Sequence, residues 1–196
     1  MRFCRFQLNL DWDDHRTRKF VTNIGVITSD GLNGPNIMTV EWAHHISHAP
    51  SLMAICITKY DATYDNIIHS KEFGISLCAS DQNVVSSISG EYSGFKVDKI
   101  EVLKEFGVEF YQAKKINVEM LKDAAMNAEC KLYKVLELGD HTMFIGKVIE
   151  LSASLKPPLI YHNGKYWKPG KQMPKPDSSI LKKIDAVVAK HTKYTE

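Results

Sequence analysis

The apolar residues of this chain fall in short runs rich in Val, Ile, Thr and aromatic residues, each closed by a turn signal. Runs of that kind read as strands rather than helices. Phe20–Thr28 ends at Ser29-Asp30-Gly31, a partner strand Ile37–Trp42 follows Asn33-Gly34-Pro35-Asn36, and Leu52–Thr58 follows Ala49-Pro50. Then the period changes. Asp61 can cap a helix through Ile68, Glu72–Cys78 returns to strand, and Asp81–Ile88 reads as a short helix stopped near Gly90. A further helix is expected over Ile100–Phe106.

The second half is again β in character. Asn127–Glu137 and Thr142–Leu151 flank a turn at Gly139-Asp140-His141, and Pro158–His162 and Lys165–Trp167 flank Asn163-Gly164. That Asn-Gly pair is the strongest local hairpin signal in the chain. Residues 168–177, rich in Pro, Lys and Gly, read as a linker. A terminal helix capped at Ser178 or Ser179 carries Ile180, Leu181, Ile184, Val187 and Val188 on one face. Many short strands with a few inserted helices favour a mainly β protein, a closed or nearly closed barrel rather than a sandwich. The irregular order of strands and helices argues against a doubly wound parallel sheet. At 196 residues we expect one domain, 1–167, with a linker and helix appended at 168–196.

Charge narrows the partners. Lys and Arg number 25 against 23 Asp and Glu, which gives no electrostatic case for nucleic acid or a membrane surface. No segment approaches the roughly 20 apolar residues of a spanning helix. Met1-Arg2-Phe3-Cys4-Arg5-Phe6 lacks the pattern of a secretory signal, so a cytoplasmic location is expected. Cys4, Cys56, Cys78 and Cys130 lie far apart with no C-x-x-C pair, which argues against a zinc site or redox dithiol. Cys56 and Cys78 sit in strand-like runs and are expected to be buried structural thiols. G-x-S-x-G, P-loop and G-x-G-x-x-G motifs are absent, so the usual motif-based hydrolase, nucleotidase and Rossmann readings lack support.

Four constellations could carry chemistry. Gly31 to Thr39 is a polar turn entering a strand; its amides either contact a flat heterocycle or merely close a hairpin. Asp61-Ala62-Thr63-Tyr64 opens a helix where a phosphate could sit, with Thr63 and Lys59 beside it, or where Asp61 only caps. In Trp42-Ala43-His44-His45-Ile46-Ser47-His48, a regular strand would turn His44 and His48 one way and His45 the other, so no metal site is expected. His141, at a strand entrance, is either a hydrogen-bond donor or proton shuttle beside a cofactor or a turn residue.

Taken in order, these segments resemble the flavin reductase-like family, the FMN-binding split barrels that include the flavoredoxins. Asn36-Ile37-Met38-Thr39-Val40-Glu41-Trp42 looks like the family's N-x-M-T-V-x-W, and Ser47-His48-Ala49-Pro50 like its S-x-x-P. Thr63 to Ile67 and Ser70-Lys71-Glu72-Phe73 follow T-x-x-x-I and S-x-E-F. Ser93-Gly94 with Val97-Asp98-Lys99 resembles S-G-R-x-x-D-K, and Glu129-Cys130, Gly139-Asp140-His141 and Tyr161-x-x-Gly164-x-Tyr166 complete the order. The resemblance covers roughly residues 18 to 167.

It implies a six-stranded Greek-key split barrel with a few peripheral helices, working as a homodimer with FMN near the subunit interface. By position, Asn36, Met38 and Thr39 are expected on the flavin ring, with Val40 and Trp42 of the same strand and Ser47 also among the cofactor-binding residues. Lys59, Thr63 and Lys99 are expected near the phosphate, and His141, the candidate catalytic residue, near the reactive ring edge. Asp61 and Phe95 stand where the family often carries arginine, which removes positive charge from that region; Lys59 and Lys96 lie near enough in sequence to compensate. The implied activity passes electrons from NADH or NADPH through FMN to flavin, a ferric chelate or an acceptor protein. Other readings are a non-catalytic flavin carrier or store, a related barrel using heme or a deazaflavin, and an interaction module with an empty pocket.

Overall fold

The computed structural model describes residues 8–11 and 14–193. Along them run β1 Val21–Asn23, β2 Gly25–Ser29, β3 Asn36–Val40, β4 Ala43–His48, β5 Ser51–Ile57, α1 Ala62–Ser70 and β6 Glu72–Leu77. Next come α2 Asn83–Glu91, α3 Lys99–Glu105, β7 Phe110–Gln112, β8 Glu119–Leu121, β9 Met126–Leu138 and β10 His141–Ala153. The chain continues through β11 Ile160–His162, β12 Lys165–Trp167 and α4 Ser178–Lys190. Cys4 and the N-terminal segment read above for a signal lie outside the described residues.

The main sheet is antiparallel in the order β3-β2-β6-β9-β10-β5-β4. Strands β3 and β4 stand at its two edges, so the barrel is split between them. The mainly β split barrel expected from sequence is present, with the histidine-rich β4 as a seventh strand. The long hairpin β9–β10 makes the curvature possible. Register shifts between Ile145 and Gly146 and between Val148 and Glu150 bend it. One half of the hairpin then pairs with β6 while the other pairs with β5.

Inside the barrel, Ile27, Ile55, Phe73, Ile75 and Phe144 are almost wholly buried, each such side chain contributing about 1.5–3 kcal/mol. A second cluster joins Ile24, Val26 and Ile37 to Val85 of α2 and Leu103 of α3. Strand β2 lies between the two clusters and is buried at every position. Cover on both faces removes the alternation of a half-buried strand.

Several boundaries depart from the sequence reading. The run Phe20–Thr28 splits at Ile24, whose N–H donates to the Leu159 carbonyl at 3.1 Å while its own carbonyl accepts from the Cys78 N–H at 2.9 Å. These bonds separate β1, which joins β11 and β12 in a small sheet, from β2 in the barrel. Strand β3 stops at Val40, and α2 runs through Gly90 to Glu91. The β7–β8 hairpin was not foreseen, because strands of three residues carry too little pattern. Asp177 caps α4, one residue before the expected serines. Asn163 and Gly164 have φ of 52° and 72°, the doubly left-handed turn that twists with its strands.

The histidine segment also differs from its expectation. A bulge between His45 and Ser47 breaks the register of β4 against β5, and the rings of His45 and His48 come edge to face at 4.5 Å. The extra residue undoes the alternation that would have kept them apart. Among the described residues, no group of three or more His, Cys, Asp or Glu side chains gathers so as to hold a metal ion.

Candidate functional site

The split edge opens a cleft of about 660 Å³, within the usual range for small-molecule sites. Met38, Thr39 and Val40 of β3 form one wall, and Ser86, Ser87 and Ile88 of α2 another. The Thr39 hydroxyl donates to the Ser86 carbonyl at 2.8 Å, fixing the distance between these walls. Cys56 and Ile57 of β5, with Thr58 just beyond, bring the barrel end to the cleft. Trp42 and His141 stand together at its rim. Tyr161 and Tyr166 close the far side. The Tyr166 hydroxyl donates to Ser86 Oγ at 3.1 Å and lies 3.3 Å from Ser87 Oγ.

Being an edge strand, β3 pairs with β2 alone in the sheet. Its outer backbone amides are therefore not taken up by another strand, and such groups require partners. Half-buried His141 has Nδ1 2.8 Å from Asp140 Oδ1, and this hydrogen bond holds the Asp140 carboxyl below its ordinary range. Burial pushes the Glu41 carboxyl up, against a hydrogen bond from Thr22 that lowers it. Together with Trp42 and Tyr161, Glu41 separates this cleft from a neighbouring one of about 480 Å³.

A second group of expected residues lies outside the cleft walls, buried among protein partners. Asn36 Nδ2 donates to Thr63 Oγ1 at 2.8 Å, and both side chains are buried. Gly94 presses on this pair: a Cβ there would stand 2.4 Å from Asn36 Oδ1. Lys99 is 3% exposed and donates to the Ser89 carbonyl at 3.1 Å. Burial pushes its ammonium down to about 8, with the charge of Asp61 acting in the opposite sense. The Asp61 carboxylate accepts from Thr58 N–H and Oγ at 3.2 and 2.8 Å. It stands at the cap position just before α1 without capping the helix through its side chain.

The cleft thus gathers Met38, Thr39, Val40, Trp42 and His141, while Asn36, Thr63 and Lys99 are buried beside α1 to α3. Ser47 lies opposite Leu52 on β4, outside the cleft walls. Exposed Lys59 extends over the Tyr60 ring at 5.3 Å, also outside them. The loop before β3 is held as a hairpin: Asn66 accepts from the Asn33 N–H at 2.9 Å and donates to the Gly34 carbonyl at 2.8 Å. Sequence reasoning did not single out Ser86, Ser87 or Glu41 for the site, and it expected Cys56 to be a buried structural thiol, whereas Cys56 is half-buried in the cleft wall. Helix α2 carries no motif, and only Tyr161-x-x-Gly164-x-Tyr166 marked the far wall.

The family model for the flavin reductase like domain matches residues 17–169, and the chain belongs to that family. Among similar proteins is the reductase component of a flavin-dependent trigonelline monooxygenase from Acinetobacter baylyi, 26% identical over 89% of this chain and 54% of its own length. Another is an NADH-dependent FAD reductase of Streptomyces globisporus, 25% identical over 66% of this chain and 69% of its own. A protein of Archaeoglobus fulgidus is 30% identical over 62% of this chain and 67% of its own. The chain spans about half to two thirds of the length of these curated relatives.

Solved structures share the fold. The NADH:FAD oxidoreductase SgcE6 of S. globisporus superposes with a TM-score of 0.73 at 20% identity, covering 84% of this chain and 99% of its own. Flavoredoxin from Methanosarcina acetivorans gives 0.72 at 18%, covering 88% and 96%. No helix among the described residues is long and apolar enough to cross a membrane.

Proposed function

We propose that this chain holds the ring of FMN in the β3–α2 cleft and passes electrons from NADH or NADPH through it to free flavin, a ferric chelate or an acceptor protein. The observation that carries the reading is the slot itself, an unpaired strand edge facing a helix with an aromatic–imidazole pair at its rim. Bound flavin supplies the chemistry, taking a hydride equivalent from the nicotinamide and releasing electrons onward. Met38, Val40 and Ile57 give the ring an apolar bed, and the β3 backbone gives its polar edge hydrogen bonds. Thr39 sets the slot width through Ser86, while Trp42 screens the rim. The role proposed for His141 is a hydrogen bond to the ring, its orientation set by Asp140.

The ring end suits these walls better than the phosphate end. Glu41, Asp61 and Glu91 line the cleft, and neither Lys nor Arg does. Thr63 and Lys99 are already bonded inside the protein. We therefore assign the phosphate to the open end, screened by exposed Lys59 and Lys96. Ser47, off the cleft within one chain, has a flavin role only where a second copy extends the site. Relatives named as reductase components of flavin-dependent enzymes support diffusible reduced flavin as the product.

The test is spectroscopic. Purified protein supplied with FMN, and separately with FAD, is mixed anaerobically with NADH or NADPH. Bleaching of bound flavin supports a reductase. A protein that takes up neither flavin ends the proposal, and one that binds flavin without bleaching is a carrier.

A further inference from the structure

The β3–α2 cleft suits a neutral ring and opposes an anion. Glu41, Asp61 and Glu91 line it, and among the described residues neither Lys nor Arg does. Asp61 is fixed there, its carboxylate accepting from the Thr58 N–H and Oγ at 3.2 and 2.8 Å. The helix ends act in the same sense. Gly90, Glu91 and Tyr92 bring the C-terminal end of α2 to the wall, and the last carbonyls of a helix carry about half a negative charge. No basic residue stands in the last turn of α2 to offset it. The N-terminal end of α1, which would favour an anion, begins directly after Asp61 and has Asp65 in its first turn.

Neighbouring lysines do not reverse this field. Lys99 is buried and donates to the Ser89 carbonyl. Lys59 and Lys96 are exposed, Lys59 extending over the Tyr60 ring, and solvated lysines attract an anion weakly. The phosphate of FMN carries a charge of roughly −1.5 to −2 at pH 7. At this cleft it meets carboxylates and a helix C-terminus before any fixed cation. Riboflavin has the same ring and a side chain ending in a hydroxyl. A hydroxyl donates to a carboxylate, whereas a phosphate dianion is repelled by one.

We propose that the cleft favours riboflavin, the unphosphorylated flavin, over FMN, with Asp61 and Glu91 as the residues that set the preference. The inference rests on the flavin reading above and adds which form of the flavin the walls select. The ring carries the binding, and the phosphate subtracts from it.

The test titrates the full chain with riboflavin and, separately, with FMN, and reads dissociation constants from flavin fluorescence and calorimetry. At about 10 mM ionic strength, where charges act over some 30 Å, riboflavin should bind about threefold or more tightly than FMN. The gap should narrow at about 1 M salt, where screening shortens that reach to roughly 3 Å. Asp61→Asn and Glu91→Gln should each tighten FMN about threefold at low salt while changing riboflavin by less than about twofold. Glu91 is exposed, so its variant keeps the fold even if Asp61→Asn does not. FMN bound as tightly as riboflavin or more so at low salt overturns the inference alone. So does a preference for riboflavin that neither variant alters. A chain that binds neither flavin overturns the flavin reading itself, and this inference with it.

Discussion

The rings of Trp42 and His141 lie 4.6 Å apart between centroids, tilted by 49°, at the rim of the cleft. Trp42 and Asp140 thus hold the imidazole from two directions, through packing and through Nδ1. His141→Ala is expected to slow anaerobic reduction of bound flavin by NADH about tenfold, the scale of roughly 1.4 kcal/mol, without abolishing it. Trp42→Ala should have a smaller effect in the same direction. Stopped-flow absorbance decides, and an unchanged rate in His141→Ala removes this residue from the mechanism.

Gly94 is the tightest approach near the site. Gly94→Ala puts a methyl group against Asn36 Oδ1, and Asn36 cannot swing away without losing its bond to Thr63. We expect a loss of about 1–3 kcal/mol from such overpacking. Thr63→Val, which removes the acceptor and leaves a buried donor, should cost about 1–3 kcal/mol. Urea unfolding measures both. If Gly94→Ala leaves the midpoint unchanged, the turn is more yielding than the packing implies.

Lys99 should leave a signature in stability against pH. Its folded-state value near 8 lies below that of a solvated lysine, about 10.4. Below pH 8 both states carry the proton and this contribution is flat. Between 8 and 10.4 the unfolded chain binds more protons, so stability from this group rises with pH. The rise from pH 7.5 to 9.5 should be on the order of 1–2 kcal/mol. Lys99→Met should flatten it, and a variant showing the full rise would assign it to another group.

The core thiols should be inert. Burial pushes Cys78 and Cys130 up to about 12, and Cys56 is raised by the same cause. A thiol that does not ionise is neither a nucleophile nor readily oxidised. Native protein at pH 8 treated with iodoacetamide should show no modification of Cys78 or Cys130 by peptide mapping, and full modification once unfolded. Labelling of either in the native state would show that the barrel opens locally.

The barrel was legible because its strands are long enough to carry their own pattern, as Glu72–Leu77 and the β9–β10 hairpin show. Met38, Thr39, Val40, Trp42 and His141 were legible through the family's strand motif and the turn before β10. Tertiary contact decided the rest. Nothing local marks Ile24 as the point where two sheets divide, since its partners Leu159 and Cys78 are remote in sequence. Ser86 and Ser87 look like any helical serines until Tyr166 reaches them. Asn36, Thr63 and Lys99 matched positions expected to touch cofactor, but burial engages their polar atoms with protein partners.

The bond from Tyr166 to Ser86 spans eighty residues of sequence, and it joins the small sheet β1-β11-β12 to a helix outside it. Closing so long a loop carries an entropic cost that nearer contacts do not. The floor of the cleft belongs to the barrel, and its far wall is a short hairpin that pairs with β1, is anchored through Leu159 to Ile24 and Cys78, and is tied to α2 by the Tyr166 hydroxyl. Ser86 thereby ties both walls to one turn of helix, so that a shift of α2 would move the β3 wall and the tyrosine wall together.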